Sequence, residues 1–274
     1  MLGFRPGIKV FNHTVVDIEF NSGQVCQWAL WDNPKCAQLP RVEDYDILKL
    51  FLNSGDFAID VGAHVGDTTL PMALCVGKKG LVLALEPNPA TYRILEENSK
   101  LNQELINIVP INKAAMQTDG DYVFQYNEPS LMNGGYQKGI SLFKHASFFK
   151  INVKGVNLSK LLVEKYADRL RDLKFIKTDL EGGDYTAFLT MIDVIKACQP
   201  IIQSEINGVM PSVDRNSYIS NLKDLDYQVL ALDGVSLNRL KILTQGMVDS
   251  GETFDILAIP KDKFDELKDS LILG

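Results

Sequence analysis

Apolar residues gather along this chain in short, nearly continuous runs, and several of these runs end on an acid. Phe57-Ala58-Ile59 leads into Asp60, Gly80 to Leu85 into Glu86, Lys174 to Thr178 into Asp179, and Pro200 to Ser204 into Glu205. Asn107 to Ile111, Tyr227 to Leu232 and Phe254 to Ile259 are runs of the same kind. Runs of this length bounded by turn residues predict buried strands. Helical patterns fall between them: Leu70 onward, Ala90 to Leu101, Leu158 to Leu170 with Asn157 as its cap, Tyr185 to Cys198, and Tyr218 to Leu225. The β-α alternation predicts an α/β fold with a doubly wound, mostly parallel sheet of seven strands. Right-handed crossovers lay the first three strands out in the order 3-2-1. The connection between Leu232 and Phe254 is long and carries no helical pattern, so the last two strands are expected to pair antiparallel.

Two stretches break the rhythm. Residues 1–55 read as a small N-terminal extension, with partly alternating runs at Lys9 to Phe11 and Thr14 to Phe20, a turn at Asn21-Ser22-Gly23, and a helix from Asp44 to Leu52. The main domain then spans 56–274. Within it, about 117–156 is rich in glycine and aromatic residues and reads as a β-rich insertion: either hairpins with a loop near the substrate, or a purely structural arm.

Composition narrows the function classes. The 274 residues are 46% hydrophobic, enough for one large domain, and no apolar run is long enough to span a bilayer. Lys and Arg number 28 against 35 Asp and Glu, a net charge of −7, which argues against nucleic acid as a main partner. Cys26, Cys36, Cys75 and Cys198 are scattered without C-x-x-C spacing, so reduced thiols in a cytoplasmic protein are expected; Met1 to Gly7 shows no apolar signal region. Oligomeric state is not readable.

The densest chemistry lies at Asp60-Val61-Gly62-Ala63-His64-Val65-Gly66, between a predicted strand and a predicted helix. Glycines there permit a tight turn and close backbone approach to a ligand, and the helix start offers free N–H groups. The spacing is G-x-x-x-G, not the G-x-G-x-x-G of dinucleotide enzymes, so a nicotinamide dehydrogenase is disfavoured. Glu86, at the tip of the second strand and 20 residues past Gly66, is placed to bind a pair of ribose hydroxyls. A nucleoside-type cofactor follows.

Taken with Leu85-Glu86-Pro87-Asn88-Pro89 and Ile176-Lys177-Thr178-Asp179-Leu180-Glu181-Gly182, this turn resembles the FkbM-type S-adenosylmethionine-dependent methyltransferases, over roughly residues 56–205. The resemblance implies a Rossmann-like class I methyltransferase fold, S-adenosylmethionine as cofactor, and O-methylation of a hydroxyl on a small molecule, sugar or natural product. It implies that Asp60, Gly62, Ala63, His64 and Gly66 hold the methionine part, with Thr69 near its carboxylate. Glu86 would take the ribose, with Pro87 and Asn88 beside the adenosine and Ala114 near the adenine. Three positions depart from the family pattern: His64 for Asn, Gln117 for an acid, and Asp184 for Glu.

Methyl transfer from a sulfonium requires an aligned hydroxyl and an acceptor for its proton. Asp179, expected to face the transfer region, Glu181, the first choice as base, and Glu205 lie at carboxyl ends of strands, where open α/β sheets bind ligands. Asp179 and Asp184 could instead cap the following helix. Of the two histidines that imidazole chemistry would suit as bases, His145 in the insertion is the better candidate, or else a surface residue, and His64 is assigned to the cofactor turn. A carboxylate-bound Mg²⁺ or Ca²⁺ is conceivable but not favoured, and no metal ligands are assigned. The rival reading is a non-catalytic subunit that keeps the cofactor cradle; retention of the three acids favours the enzyme.

Overall fold

A computed structural model of the chain describes residues 9–36, 38–126, 134–135, 149–234, 237 and 239–271. It opens with a hairpin, β1 (His13–Glu19) antiparallel to β2 (Val25–Trp31), followed by α1 (Tyr45–Phe51). Lys9 to Phe11, expected to be extended, lies outside any strand. Then come β3 (Phe57–Val61), α2 (Thr69–Val76), β4 (Leu81–Leu85), α3 (Pro89–Lys100) and β5 (Ile108–Ile111). The insertion region supplies β6 (Ala114–Ala115), β7 (Gly120–Tyr126), β8 (Gly134–Gly135) and β9 (Phe149–Val156). The second half adds α4 (Leu158–Lys165), β10 (Leu173–Thr178), α5 (Asp184–Thr190), α6 (Ile192–Cys198), β11 (Ile201–Ile206) and α7 (Ser212–Asp224). It closes with β12 (Tyr227–Leu232), β13 (Leu240–Ile242), α8 (Gln245–Asp249), β14 (Phe254–Pro260) and α9 (Lys261–Leu267).

The main sheet has the order β13-β12-β14-β11-β10-β3-β4-β5. Strands β5, β4, β3, β10 and β11 run parallel, and β14 is antiparallel to both β11 and β12. This is the doubly wound seven-strand layout expected from the sequence, with β13 added as an eighth strand at one edge among the described residues. Chain order reverses between β3 and β10, so the carboxyl ends of these strands mark the switch point, where open α/β sheets bind ligands.

Strand alternation divides the core into two layers. Ala58, Phe175 and Ile201 face one side, with Trp28, Phe51, Met72 and Ile94. Phe57, Ile59, Ile176 and Ile202 face the other, with Phe188, Tyr218 and Leu222. Asp60 and Lys177 are register partners and, by alternation, share the face of Ala58 and Phe175.

Three expected elements differ. The helix expected over Tyr185 to Cys198 is two helices, because the Thr190 hydroxyl donates back to Ala187 O at 2.7 Å and the chain breaks at Met191. The helix from Leu158 ends at Lys165, and residues 167–172 tighten into a 3₁₀ segment after Tyr166 turns onto Phe57 (5.9 Å between rings). The Leu232–Phe254 connection holds β13 and α8. Five residues with one buried apolar side chain, Val248, leave no periodicity to read, although Thr244 caps the helix.

The insertion builds a small sheet of order β6-β9-β7-β8. Phe124, Tyr126, Val153 and Ala114 form its core, with Tyr122 packed against it. Gly155 admits the Tyr122 ring, since a Cβ there would lie 2.3 Å from it. His145 lies outside the described residues. Of the cysteines, all free, Cys26 is buried and the other three are half-buried; burial pushes the Cys36 thiol up to about 11. Among the described residues no helix is long and apolar enough to cross a membrane.

The N-terminal hairpin is fastened by two asparagines, one in α3 and one just past its end. Asn98 Oδ1 accepts from Ala29 N at 2.7 Å and its Nδ2 donates to Val65 O at 2.9 Å, tying β2 to the glycine turn. Asn102 accepts from Gln27 N and donates to Gln27 O, at 2.8 and 2.9 Å. They satisfy backbone groups on β2. Replacing Asn98 by Ala leaves buried partners unpaired, which costs about 2–3 kcal/mol. Urea unfolding of Asn98→Ala is expected to show that loss, and an unchanged midpoint would mean that the hairpin is held by packing alone.

Candidate functional site

The site starts from Asp60, the penultimate residue of β3 and fully buried. Its Oδ2 accepts from Thr68 Oγ1 at 2.8 Å and Thr69 Oγ1 at 2.7 Å, and its Oδ1 faces Lys177 Nζ at 3.7 Å. One carboxylate thus holds the start of α2 and the end of β10. Lys177 also lies 3.5 Å from Asp179 Oδ2. Burial pulls the Lys177 ammonium down, but Asp60, Asp179 and Asp67 outweigh it and the net shift is upward. Asp67 receives Gln38 Nε2 at 2.7 Å and lies 3.6 Å from Arg41 Nε, and burial pushes it up to about 6.

The turn beyond β3 needs glycine in fact. Gly62 has φ +84°, and a Cβ there would sit 2.1 Å from Asp179 O. Gly66 has φ +95°, and its Cβ would press on Leu95 at 3.0 Å. Gly62 N and Ala63 N donate to Leu85 O, and Asp179 N to Val61 O, so the turn is laced to the tips of both neighbouring strands.

Glu86 sits at the tip of β4, buried, with Oε2 accepting from His64 N at 2.9 Å and Oε1 from Asn88 N at 2.8 Å. Burial pushes it up to about 7 against these hydrogen bonds. Asn88 caps α3 through Ala90 N, and Pro89 occupies the first helical position. Asn112 Nδ2 donates to Glu86 O and Pro87 O. Ala114 joins the core of the insertion sheet beside Tyr126, whose phenol is pushed up by burial and by Glu86.

His64 takes φ +50°, and its ring lies edge-on to Trp31 at 6.2 Å, with Nε2 4.0 Å from Cys36 Sγ. Burial pulls its pKa down to about 4, so it is neutral at physiological pH. Thr69 is fully buried, its hydroxyl committed to Asp60.

Across the switch point stand the other acids. Asp179 is half-exposed. Glu181, at φ +51°, is exposed and is followed by Gly182 at φ +100°. Asp184 is fully buried in the first turn of α5 and accepts from Leu180 N at 3.3 Å, in the loop before the helix; Gly183 holds the cap position and no side chain caps α5, so Asp184 is not the cap considered for it. Burial pushes Asp184 up to about 7 and Glu205 up to about 8. Asp255, opposite Glu205 on β14, is raised to about 6, again by burial first. Among the described residues, no group of three or more His, Cys, Asp or Glu is arranged to hold a metal ion.

Lys177, Asp67, Asp255 and Asn207 belong to this neighbourhood, and the sequence reading assigned none of them a role. Lys177 carried one signal: a charge inside an otherwise apolar strand must find a partner. The other three carried none.

A family profile described as Methyltransferase FkbM domain matches residues 60–229. A tRNA(Phe) (4-demethylwyosine(37)-C(7)) aminocarboxypropyltransferase of Methanocaldococcus jannaschii is 37% identical over 70 residues, 26% of this chain and 27% of that protein. A tRNA (guanine(37)-N(1))-methyltransferase of Batrachochytrium dendrobatidis is 36% identical over 87 residues, 32% of this chain and 18% of that protein. The matches thus span about a quarter and about a fifth of these curated relatives. Among solved structures, a methyltransferase FkbM from Methylobacillus flagellatus superimposes with TM-score 0.43 at 14% identity, covering 74% of this chain and 43% of that one.

Burial pushes Glu86 and Asp184 up to about 7 and Glu205 up to about 8, above the ordinary carboxylate values near 4. An acid with a raised folded pKa keeps its proton on folding, so stability falls as pH rises through that window. Buried His64 acts oppositely, but only below its ordinary value of 6.5. Between pH 8 and 6.5 the acids act alone. The thermal midpoint of the ligand-free protein is expected to rise by a few degrees as pH is lowered over that range, and the gain should shrink in Glu205→Gln. A midpoint that falls instead would contradict the burial of these carboxyls.

Proposed function

The chain belongs to the FkbM methyltransferase domain family, whose methyl donor is S-adenosylmethionine, and from that premise we propose an O-methyltransferase acting on a hydroxyl of a small, uncharged or cationic acceptor. One observation carries the reading. The strand-tip acid Glu86 accepts a hydrogen bond from the glycine turn's own His64 N–H, which sets the acid beside the turn at the carboxyl ends of β3 and β4, where open α/β sheets bind ligands.

The residues suit that cofactor. Gly62 lets the turn pack directly on the Asp179 carbonyl, where any Cβ would collide, so the turn and the loop after β10 meet backbone to backbone. Glu86 retains lone pairs for ribose hydroxyls beside the two N–H groups it already accepts. On this reading Gly62, Ala63, His64 and Gly66 hold the methionine portion through backbone. Asp60 and Thr69 shape the turn from beneath, because both are fully buried and bonded to each other. Pro87, Asn88 and Ala114 border the adenosine end. Bound S-adenosylmethionine supplies an electrophilic methyl on a sulfonium leaving group.

The remaining work falls to the acids across the crevice. Asp179, braced by Lys177, orients the acceptor, and Glu181 or Glu205 accepts the hydroxyl proton. Four carboxyl-bearing residues converge here, Asp179, Glu181, Glu205 and Asp255, with Asp184 buried behind them. The cations nearby are committed, Lys177 to Asp60 and Asp179, and Arg41 to Asp67. Such a wall favours hydroxyl or amino donors and repels phosphate.

Calorimetry is expected to show S-adenosylmethionine binding, weakened roughly ten- to hundredfold in Glu86→Gln through the loss of charge-assisted hydrogen bonds; unchanged affinity would remove Glu86 from the site. With tritiated methyl donor, labelling of glucose or glucosamine is expected to exceed that of glucose 6-phosphate and of unmodified tRNA. Preferential labelling of the tRNA would overturn the acceptor class.

A further inference from the structure

Asn207 lies one residue past β11 and is buried. Its Nδ2 donates to Glu205 Oε2 at 2.8 Å and also lies 3.4 Å from Glu181 Oε2. Its Oδ1 accepts from Val209 N at 3.0 Å, which fixes which end of the amide faces the acids. Its carbonyl accepts from Arg215 Nη2 at 2.9 Å. The same fully buried guanidinium donates to Glu252 O at 2.8 Å and Val248 O at 3.2 Å. Arg215 therefore clamps the loop after β11 to the segment before β14. From the other side, Gly182 lets the loop after β10 come down on Val209, because a Cβ there would lie 2.9 Å from Val209 Cγ2. Two loops from different strands thus meet at one amide.

We infer that Asn207 is a positioning residue that ties Glu205 and Glu181 into a single pair facing the acceptor, so that the two carboxyl groups work as a unit. The inference rests on the reading of that pair as acceptor-facing. Asp179 and Glu181 face Glu205 from the loop after β10, Asp184 from α5, and Asp255 from β14. Lys177 and Arg41 act on Asp255. With acids on three sides, two neighbouring carboxyls would turn away into solvent unless a donor held them. Asn207 is that donor. It stabilises the ionised form of both residues, opposing the burial that raises them.

The test reads carboxyl titration directly, using the full chain labelled with [δ-¹³C]glutamate. The Glu205 resonance is assigned by its disappearance in Glu205→Gln. In Asn207→Ala its midpoint is expected to move up by about one pH unit, a tenfold loss of acidity, since a hydrogen bond to a charged group is worth about that much. Asn207→Asp, nearly isosteric, is expected to move it further by adding another carboxylate. A Glu205 midpoint that stays put or falls in either variant, at wild-type thermal stability, overturns the inference. Labelling of glucose and glucosamine separates it from the catalytic reading. Loss of label in Glu205→Gln with an unmoved Asn207→Ala midpoint overturns the positioning role and leaves the acid–base reading standing. A moved midpoint with undiminished labelling in Glu205→Gln supports the positioning role and overturns the acid–base reading.

Discussion

Everything near the crevice depends on the buried contact between Asp60 and Lys177. The two are register partners on adjacent parallel strands, so their side chains emerge side by side on the same sheet face. That placement is dictated by strand alternation. Two charges removed from water cost several kcal/mol each, and only near-complete compensation makes this tolerable. Asp60 receives two threonine hydroxyls in addition to the ammonium, and Lys177 has Asp179 in addition to Asp60. The compensation links strand β3, the first turn of α2 and the loop after β10. Those are the pieces that must not move if a glycine turn is to present its backbone to a ligand. An apolar pair in the same position would pack as well, but it would not fix the start of α2 or the direction of Asp179.

The same crowding of carboxyls explains the electrostatics of the crevice. In Glu86, Asp184, Glu205 and Asp255 burial is the first cause of the upward shift, and neighbouring acids add to it. A structural ion-pair network would bring cations in to relieve this. Here Lys177 pulls on Asp184 and Asp255, and Arg41 on Asp255, yet burial and the neighbouring acids outweigh them. Clusters of raised acids in a crevice at a topological switch point are the arrangement that acid–base chemistry uses, since a base near neutrality can both take and release a proton.

Much of this was legible in the chain. The parallel strands announced themselves as apolar runs because both of their faces are covered, and the turn announced itself because its two glycines are geometric necessities at Gly62 and Gly66. Glu86 was legible because the tip of a second strand is a fixed place in such a sheet. What was not legible came from contacts remote in sequence. Trp31 beside His64, and Asn98 holding Ala29 and Val65 together, join residues that no periodicity connects. His64 was read first as part of the cofactor turn and second as a base; its ring lies against the N-terminal hairpin and its backbone N–H on Glu86. Thr69 looked like a ligand contact and spends its hydroxyl on Asp60. Asn207 and Arg215 could not have been singled out, because one is a polar residue in a loop and the other an ordinary arginine on a helix until the fold closes around them.

The hairpin bears on how the cofactor side of the crevice stays in place. His64 N–H holds Glu86, while the His64 ring is buried between Trp31 and Cys36. A residue at φ +50° with a non-glycine side chain costs roughly 1 kcal/mol or more, and such strain persists only where the surroundings over-determine it. Trp31, itself fully buried, is part of those surroundings. Asn98 is another, since it bonds both β2 and the carbonyl of Val65, the residue after His64. Glu86 is thus oriented from two directions, by its own strand and by a turn that the N-terminal hairpin presses into shape. The N-terminal segment is therefore a structural wall of the crevice, and changes at Trp31 would reach Glu86 through the backbone of His64 without touching any ligand.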